Sequence, residues 1–202
     1  DVYALGVVLY RMLTGRLPID NEDLLQLLFA HLNQVPADVR TSALYKFRIV
    51  TVAEGFQNPW GMAWLPNGDM LVTERPGRLR IVRAGKLLPD PVPGVPAVRA
   101  VAQGGLLDVA VHPDFASNRL VYLSFAKPNA DGMQATTAVA RGRLEKDRLT
   151  NVEVIFEALP YNPLANYGSR LLLDGRGHLF VSSGDRIVPP SGDLERHAAQ
   201  DL

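Results

Sequence analysis

Imidazole, thiolate and carboxylate side chains carry most acid, base and nucleophilic chemistry near neutral pH. This chain of 202 residues has four histidines and no cysteine, which rules out disulfides and thiolate metal sites and says nothing of redox compartment. His112 and His178 fall in or beside turns, His31 and His197 are isolated, and none has a partner at metal-ligand spacing. Solvated histidines are the expectation, and no metal-ligating residue is assigned. Other polar groups sit beside glycines: Gln103 in Q-G-G, and Asn166 and Arg170 in N-Y-G-S-R. A carboxamide donates and accepts hydrogen bonds but neither takes up nor releases a proton at any useful pH. A guanidinium grips a carboxylate through two parallel bonds, or makes a structural ion pair. Asp185, in Gly184-Asp185-Arg186, is expected to close a turn.

These residues need a scaffold, and the sequence repeats one. From Gln103 to Phe115 a pair of glycines feeds a short β-run (Leu106, Leu107, Val109, Val111), closed by a polar turn at His112, Pro113 and Asp114. Gly61 to Val72 and Arg170 to Val181 follow the same plan of strand, Pro/Gly turn and strand. Copies roughly 45 to 60 residues apart are the signature of a repeat array, and four-stranded propeller blades have about that period.

The strands are short, and Gly, Pro or Asn stands in each connection, the all-β pattern. Lys46–Ala53, Asp69–Glu74 and Arg78–Arg83 are predicted strands ahead of the second copy, with turns at Pro76-Gly77 and Ala84-Gly85-Lys86. Leu88–Val98 carries four prolines (89, 91, 93 and 96) and is expected to be a surface crossing between blades. Leu106–Val111, Leu120–Phe125, Thr136–Arg143 and Val152–Ala158 are predicted as one four-stranded blade, and a third begins at Ser169. A closed propeller needs about four blades or more, so the array is expected to be cut short.

Composition agrees with a folded chain. Hydrophobic residues make up 47%, enough for a core. Lysine plus arginine equals aspartate plus glutamate at 21 each, which gives no electrostatic reason to expect nucleic acid or a membrane surface. No run of 18 apolar residues exists. The chain starts at Asp1 with no basic-then-apolar leader, and a piece of a longer protein is expected.

The first forty residues differ in kind. Asp1–Leu13 is apolar on nearly every face and ends at Gly15; a second helix is predicted from Asp20 or Asn21, with acids Glu22 and Asp23 in its first turn, and is bounded by Pro36. Helical spacing disappears near residue 43, where a domain boundary is placed. D-V-Y-A-L-G-V-V-L-Y-R-M-L-T-G-R-L-P resembles a large-lobe helix of protein kinases and the loop after it. The Gly-rich loop, the Val-Ala-Ile-Lys strand, the His-Arg-Asp loop and Asp-Phe-Gly are not in the sequence, so residues 1–43 are expected to be an inert kinase-like remnant.

From residue 44 the resemblance is to another family. V-T-V-A-E-G-F-Q-N-P-W-G-M-A-W-L-P-N-G-D-M-L-V-T-E-R-P-G-R-L-R-I-V, Q-G-G-L-L-D-V-A-V-H-P-D-F, N-Y-G-S-R-L-L-L-D-G-R-G-H-L-F-V-S-S-G-D-R and A-Q-D-L are similar to the glucose/sorbosone dehydrogenase family of soluble, pyrroloquinoline quinone-dependent aldose sugar dehydrogenases. The resemblance implies a mainly β fold: roughly three of six blades of a β-propeller over residues 44–202, preceded by the α-helical hairpin. It implies oxidation of an aldose at C1 to the lactone, with quinone and calcium at the propeller mouth and most of their ligands in later blades. It matches Gln103 to a glutamine that contacts the quinone, though a turn residue satisfying its own backbone reads equally well. It sets Arg170 either against the cofactor's carboxylates or in a structural ion pair. Asn166 falls where the family has the histidine that takes the C1 hydroxyl proton, so impaired catalysis is expected. The alternative is a non-catalytic sugar- or ligand-binding propeller acting as the sensor of a kinase-like domain. The dehydrogenase resemblance implies the periplasm, the kinase resemblance the cytoplasm.

Overall fold

The computed structural model describes residues 50–158 and 166–184. The chain divides between Thr51 and Val52, and every described strand belongs to the second unit. The helical hairpin, the kinase-like remnant and the boundary near residue 43 lie outside the described residues, as do Asp185, His31 and His197.

Within the described residues, the runs between Pro/Gly turns form successive antiparallel sheets. Strands β1 (Pro59–Trp64), β2 (Met70–Glu74), β3 (Arg78–Arg83) and β4 (Lys86–Leu87) pair in sequence order. So do β5 (Leu106–Val111), β6 (Leu120–Pro128), β7 (Ala135–Glu145) and β8 (Arg148–Glu157), while β9 (Gly168–Leu173) pairs with β10 (Leu179–Ser183). The fold is mainly β and consistent with part of a β-propeller. No described helix is long and apolar enough to cross a membrane.

Alternation decides which residues join the core. Leu71, Leu79 and Ile81 of the first sheet meet Leu106, Val109, Val121, Leu123 and Phe125 of the second in one cluster. Side chains of this size contribute about 1.5 to 3 kcal/mol each when fully buried, so this contact is a large share of what holds the two sheets together. A smaller cluster of Tyr122, Val139 and Leu171 joins the second sheet to β9.

The internal repeat is visible in the hydrogen bonds. A hydroxyl on the second strand of each sheet accepts from a backbone N–H of the first: Thr73 from Gly61 at 2.9 Å, Ser124 from Asp108 at 2.9 Å, and Ser182 from Arg170 at 2.8 Å. Thr73 then donates to the Leu107 carbonyl, and Ser124 to the Ser169 carbonyl at 2.7 Å. Each of these two buried hydroxyls thus stitches its own sheet to the first strand of the next.

Three elements depart from the sequence-based expectation. Val50–Ala53, the described part of the expected Lys46–Ala53 strand, has no strand partner among the described residues, and Ala53 with Phe56 instead packs over Met70, Val72 and Val82. The expected turn after β5 continues into one helical turn, α1 (Phe115–Asn118), anchored by buried Phe115. The proline-rich crossing is partly a sheet edge: the Val92 N–H donates to Leu79 O at 2.8 Å, and Pro93 O accepts from Leu149 N at 2.9 Å. Leu88 and Val92 are the residues of this segment whose N–H groups reach β3, and the prolines stand at other positions, which is why the segment tolerates them.

Candidate functional site

The strands β5 and β9 begin at one end of the molecule, and the chain leading into them is bound into a polar cluster. Arg75, just past β2, donates from Nη1 to Ala102 O at 2.6 Å and to Gly104 O at 3.0 Å. Its backbone carbonyl takes the Leu106 N–H at 3.0 Å. A Cβ on Gly105, whose φ is +137°, would stand 2.0 Å from that same carbonyl oxygen, so only glycine permits this approach. The Q-G-G turn is thereby locked, and Gln103 projects from it.

Two sequence-predicted residues meet here. The Gln103 Oε1 accepts the Asn166 N–H at 3.0 Å, across 63 residues. This bond ties two loops together, which a turn residue closed on its own backbone would not do. Asn166 and Ser169 both have positive φ, +58° and +94°. For serine that is a sparsely populated region, costing on the order of 1 to 3 kcal/mol. The close passage of the chain maintains it: a Cβ on Gly184 would lie 2.1 Å from Asn166 O, and the Gly184 N–H donates to Tyr167 O.

Arg170 projects from the same strand. Its Nη1 donates to Asp108 Oδ1 at 2.8 Å, and its guanidinium lies 5.2 Å from the centre of the Trp60 ring. Its side chain keeps 51% exposure, so the ion pair occupies one edge and leaves another open. Asp108 is 2% exposed and accepts the Leu171 N–H through Oδ2 at 2.8 Å. Burial pushes its pKa up by more than the Leu171 N–H and Arg170 pull it down.

Asp108, Trp60 and Arg75 were missed as site residues by sequence reasoning. An acid inside the apolar run Leu106–Val111 was the available signal, because a buried carboxylate requires a partner. The partner is 62 residues away, which local spacing does not reveal. His112 and His178 lie at the opposite ends of β5 and β9: His112 Nδ1 accepts from Asp114 N at 3.0 Å, and His178 Nδ1 is 2.8 Å from Asp174 Oδ2. Among the described residues no group of three His, Cys, Asp or Glu is arranged to hold a metal ion.

Successive antiparallel sheets, with polar residues gathered where β5 and β9 begin, are consistent with part of a propeller-type scaffold. The chain belongs to the glucose/sorbosone dehydrogenase family, whose sequence model matches residues 56–202. It is 46% identical over 167 residues to an uncharacterized protein of Synechocystis, covering 77% of this chain and 40% of that one. It is 40% identical over 171 residues to the aldose sugar dehydrogenase YliI of Escherichia coli, covering 80% and 46%. The crystal structure of the soluble aldose sugar dehydrogenase from Escherichia coli in the apo-form superposes with a TM-score of 0.67 at 40% identity, covering 73% of this chain and 43% of that chain. The PQQ-bound form of the aldose sugar dehydrogenase from Streptomyces coelicolor superposes with a TM-score of 0.53 at 29% identity, covering 61% and 36%. The chain spans less than half the length of these relatives.

Proposed function

We propose that residues 44–202 are about three blades of a six-bladed, quinone-dependent aldose dehydrogenase propeller, and that this chain binds the quinone and a sugar but oxidises the sugar C1 hydroxyl poorly. The observation that carries the reading is the bond between Gln103 and the Asn166 backbone, with Arg170 four residues on: two residues expected to serve one site lie on loops that are tied together, and the third stands on the strand that follows. One family relative is a PQQ-bound structure. The quinone, when bound, supplies the hydride acceptor and presents carboxylates.

The residues present suit such an anion. Arg170 keeps an open guanidinium edge held in place by Asp108 and Trp60. The Gln103 carbonyl oxygen is occupied by Asn166, which leaves its NH2 as a donor toward the ligand. Proton transfer is where the chain falls short. The Asn166 amide takes no proton from a sugar hydroxyl, neither described histidine is at this end, and Asp108 is committed to Arg170 and Leu171. Among the described residues no group of three His, Cys, Asp or Glu is placed to hold calcium, whose ligands the family resemblance assigns to later blades.

The same amide favours a second reading, a non-catalytic sugar-binding propeller in which Asn166 hydrogen-bonds a hydroxyl. Titrating the full chain with pyrroloquinoline quinone and calcium, followed by dye reduction with glucose, separates the two. Quinone binding that weakens in Arg170→Met, slow turnover, and a gain in Asn166→His support the dehydrogenase reading. Sugar binding with no quinone binding supports the second, and rapid turnover by the unaltered chain overturns the assignment of the missing base.

A further inference from the structure

A cleft of about 360 Å³ lies at the other end of the strands, between the β1–β2 turn, α1 and the β7–β8 turn. It is at the small end of the range for ligand sites. Its exposed apolar surface comes from Pro66 and Ala116, over a floor of buried Leu65, Phe115 and Leu144. Its carboxylates are spoken for: Arg83 binds Asp69 at 2.8 Å through Nε, and Asp147 at 3.0 and 2.8 Å through Nη1 and Nη2. Two further cations line it, Arg119 and Lys146, and neither has a carboxylate partner among the described residues. The Arg119 guanidinium stacks on Phe115, 5.5 Å from the ring centre, an arrangement that leaves its edge free to grip an anion.

The backbone fixes where these cations stand. Arg119, Lys146 and Asp147 all have left-handed φ, +58°, +49° and +59°. The Lys146-Asp147 pair occupies the two central positions of a tight hairpin, where Asn-Gly would be at ease. Asp147 uses its position to hold Arg83, and Arg119 to reach Phe115. Lys146 has no such contact among the described residues; its left-handed φ belongs to the two-residue turn, which sets the residue at the edge of the cleft.

We propose that this cleft binds a small organic anion, a carboxylate or phosphate carried on a small apolar body, with Arg119 and Lys146 on the charge and the exposed surface of Pro66 and Ala116 against the body. It is distinct from the Gln103–Asn166–Arg170 cluster and does not depend on the reading of that cluster.

Calorimetric titration of the full chain at low salt with phenyl phosphate, benzoate, inorganic phosphate and benzyl alcohol tests this. Saturable binding of phenyl phosphate or benzoate, with benzyl alcohol and inorganic phosphate at least about tenfold weaker, is expected, and the better of the two names the headgroup. Lys146→Gly relieves the turn, so the urea midpoint should rise while the dissociation constant rises about tenfold; Arg119→Met should weaken binding without changing the fold by circular dichroism. Absence of saturable binding by both aryl anions, equal binding of inorganic phosphate, or an unchanged dissociation constant in both variants would overturn the proposal.

Discussion

The two ends of the strands are strained in different ways. At the Gln103 end the left-handed residues Ala102, Asn166 and Ser169 accompany chain crossings so close that Gly105 and Gly184 admit no side chain. At the cleft end Arg119, Lys146 and Asp147 are equally left-handed, yet the turn beside them at Gly68 has open space around it. Packing imposes the geometry at one end, and side-chain charge accompanies it at the other. A site locked by packing holds its groups in fixed positions, which suits orienting a substrate. A site held by exposed ion pairs adapts and responds to salt.

Glycine substitution separates these regimes most sharply. Gly105→Ala puts a methyl 2.0 Å from the Arg75 carbonyl oxygen and should cost about 3 to 4 kcal/mol, the sum of backbone strain and overpacking. Gly68→Ala has the same kind of positive φ, +87°, but nothing within 4 Å among the described residues, so about 1 kcal/mol is expected. Urea unfolding of both variants measures the difference. Equal losses would mean that backbone conformation alone, not the close crossing, governs the Gln103 end.

The ion networks give the next contrast. Near Arg75, Glu74 is fully buried and accepts from the Gln57 N–H, from Arg78 at 2.6 Å and from Arg80 at 3.3 Å. Burial by itself would raise its pKa, but these donors outweigh it and hold the carboxyl below the ordinary value. Glu74→Ala should cost about 3 kcal/mol because Arg80 is left buried without its carboxylate, whereas Asp147→Asn, which loosens only the exposed arm of the cleft network, should leave the urea midpoint nearly unchanged at physiological salt. The pH dependence follows from the sign of the shift. A lowered carboxylate stabilises the fold above its unfolded pKa, so the Glu74 contribution is present above about pH 4.5 and is lost as pH falls through the folded value. Asp108 runs the other way: its raised pKa favours the neutral form in the fold, so its contribution declines as pH rises above 3.8. Stability against pH should therefore flatten below pH 4.5 in Glu74→Gln and lose its opposing slope in Asp108→Asn.

This division also explains what was legible in the sequence. All four strands β5 to β8 were legible, because alternation between Pro/Gly turns is a local pattern and the burial it implies is what forms the strands, but only β5 to the residue: β6 runs on to Pro128 and β8 begins at Arg148 rather than Val152. The contact between Gln103 and Asn166 had no local signal, since a bond across 63 residues leaves none, and both residues were singled out only through the family resemblance. Asp108 was passed over as one polar residue among leucines. α1 was invisible because four residues carry no helical period, and its anchor, Phe115, reads equally well as the end of a turn. The cleft was missed because its cations come from three separate places, the end of β3, the end of α1 and the β7–β8 turn, each ordinary in isolation.

The smallest effect probes how completely packing rules the Gln103 end. Tyr167 is 2% exposed, lies against Leu107, Ala126 and Ala135, and its hydroxyl has no hydrogen-bond partner among the described residues. A Cβ on Gly104 would come within 3.1 Å of its ring, so the ring is tightly confined by the Q-G-G turn. A buried unpaired hydroxyl costs roughly 1 to 3 kcal/mol, part of which is recovered when the oxygen is removed and the small gap it leaves is subtracted. Tyr167→Phe should accordingly be neutral or more stable by up to about 1 kcal/mol in urea unfolding. If the cluster also serves ligand binding through this hydroxyl, the same variant will be stabilised but bind quinone or sugar more weakly, and the two measurements together distinguish a packing residue from a ligand-facing one. A loss of stability instead would show that the hydroxyl has a partner in solution, and the Gln103 end would then be held by polar contacts more like those of the cleft.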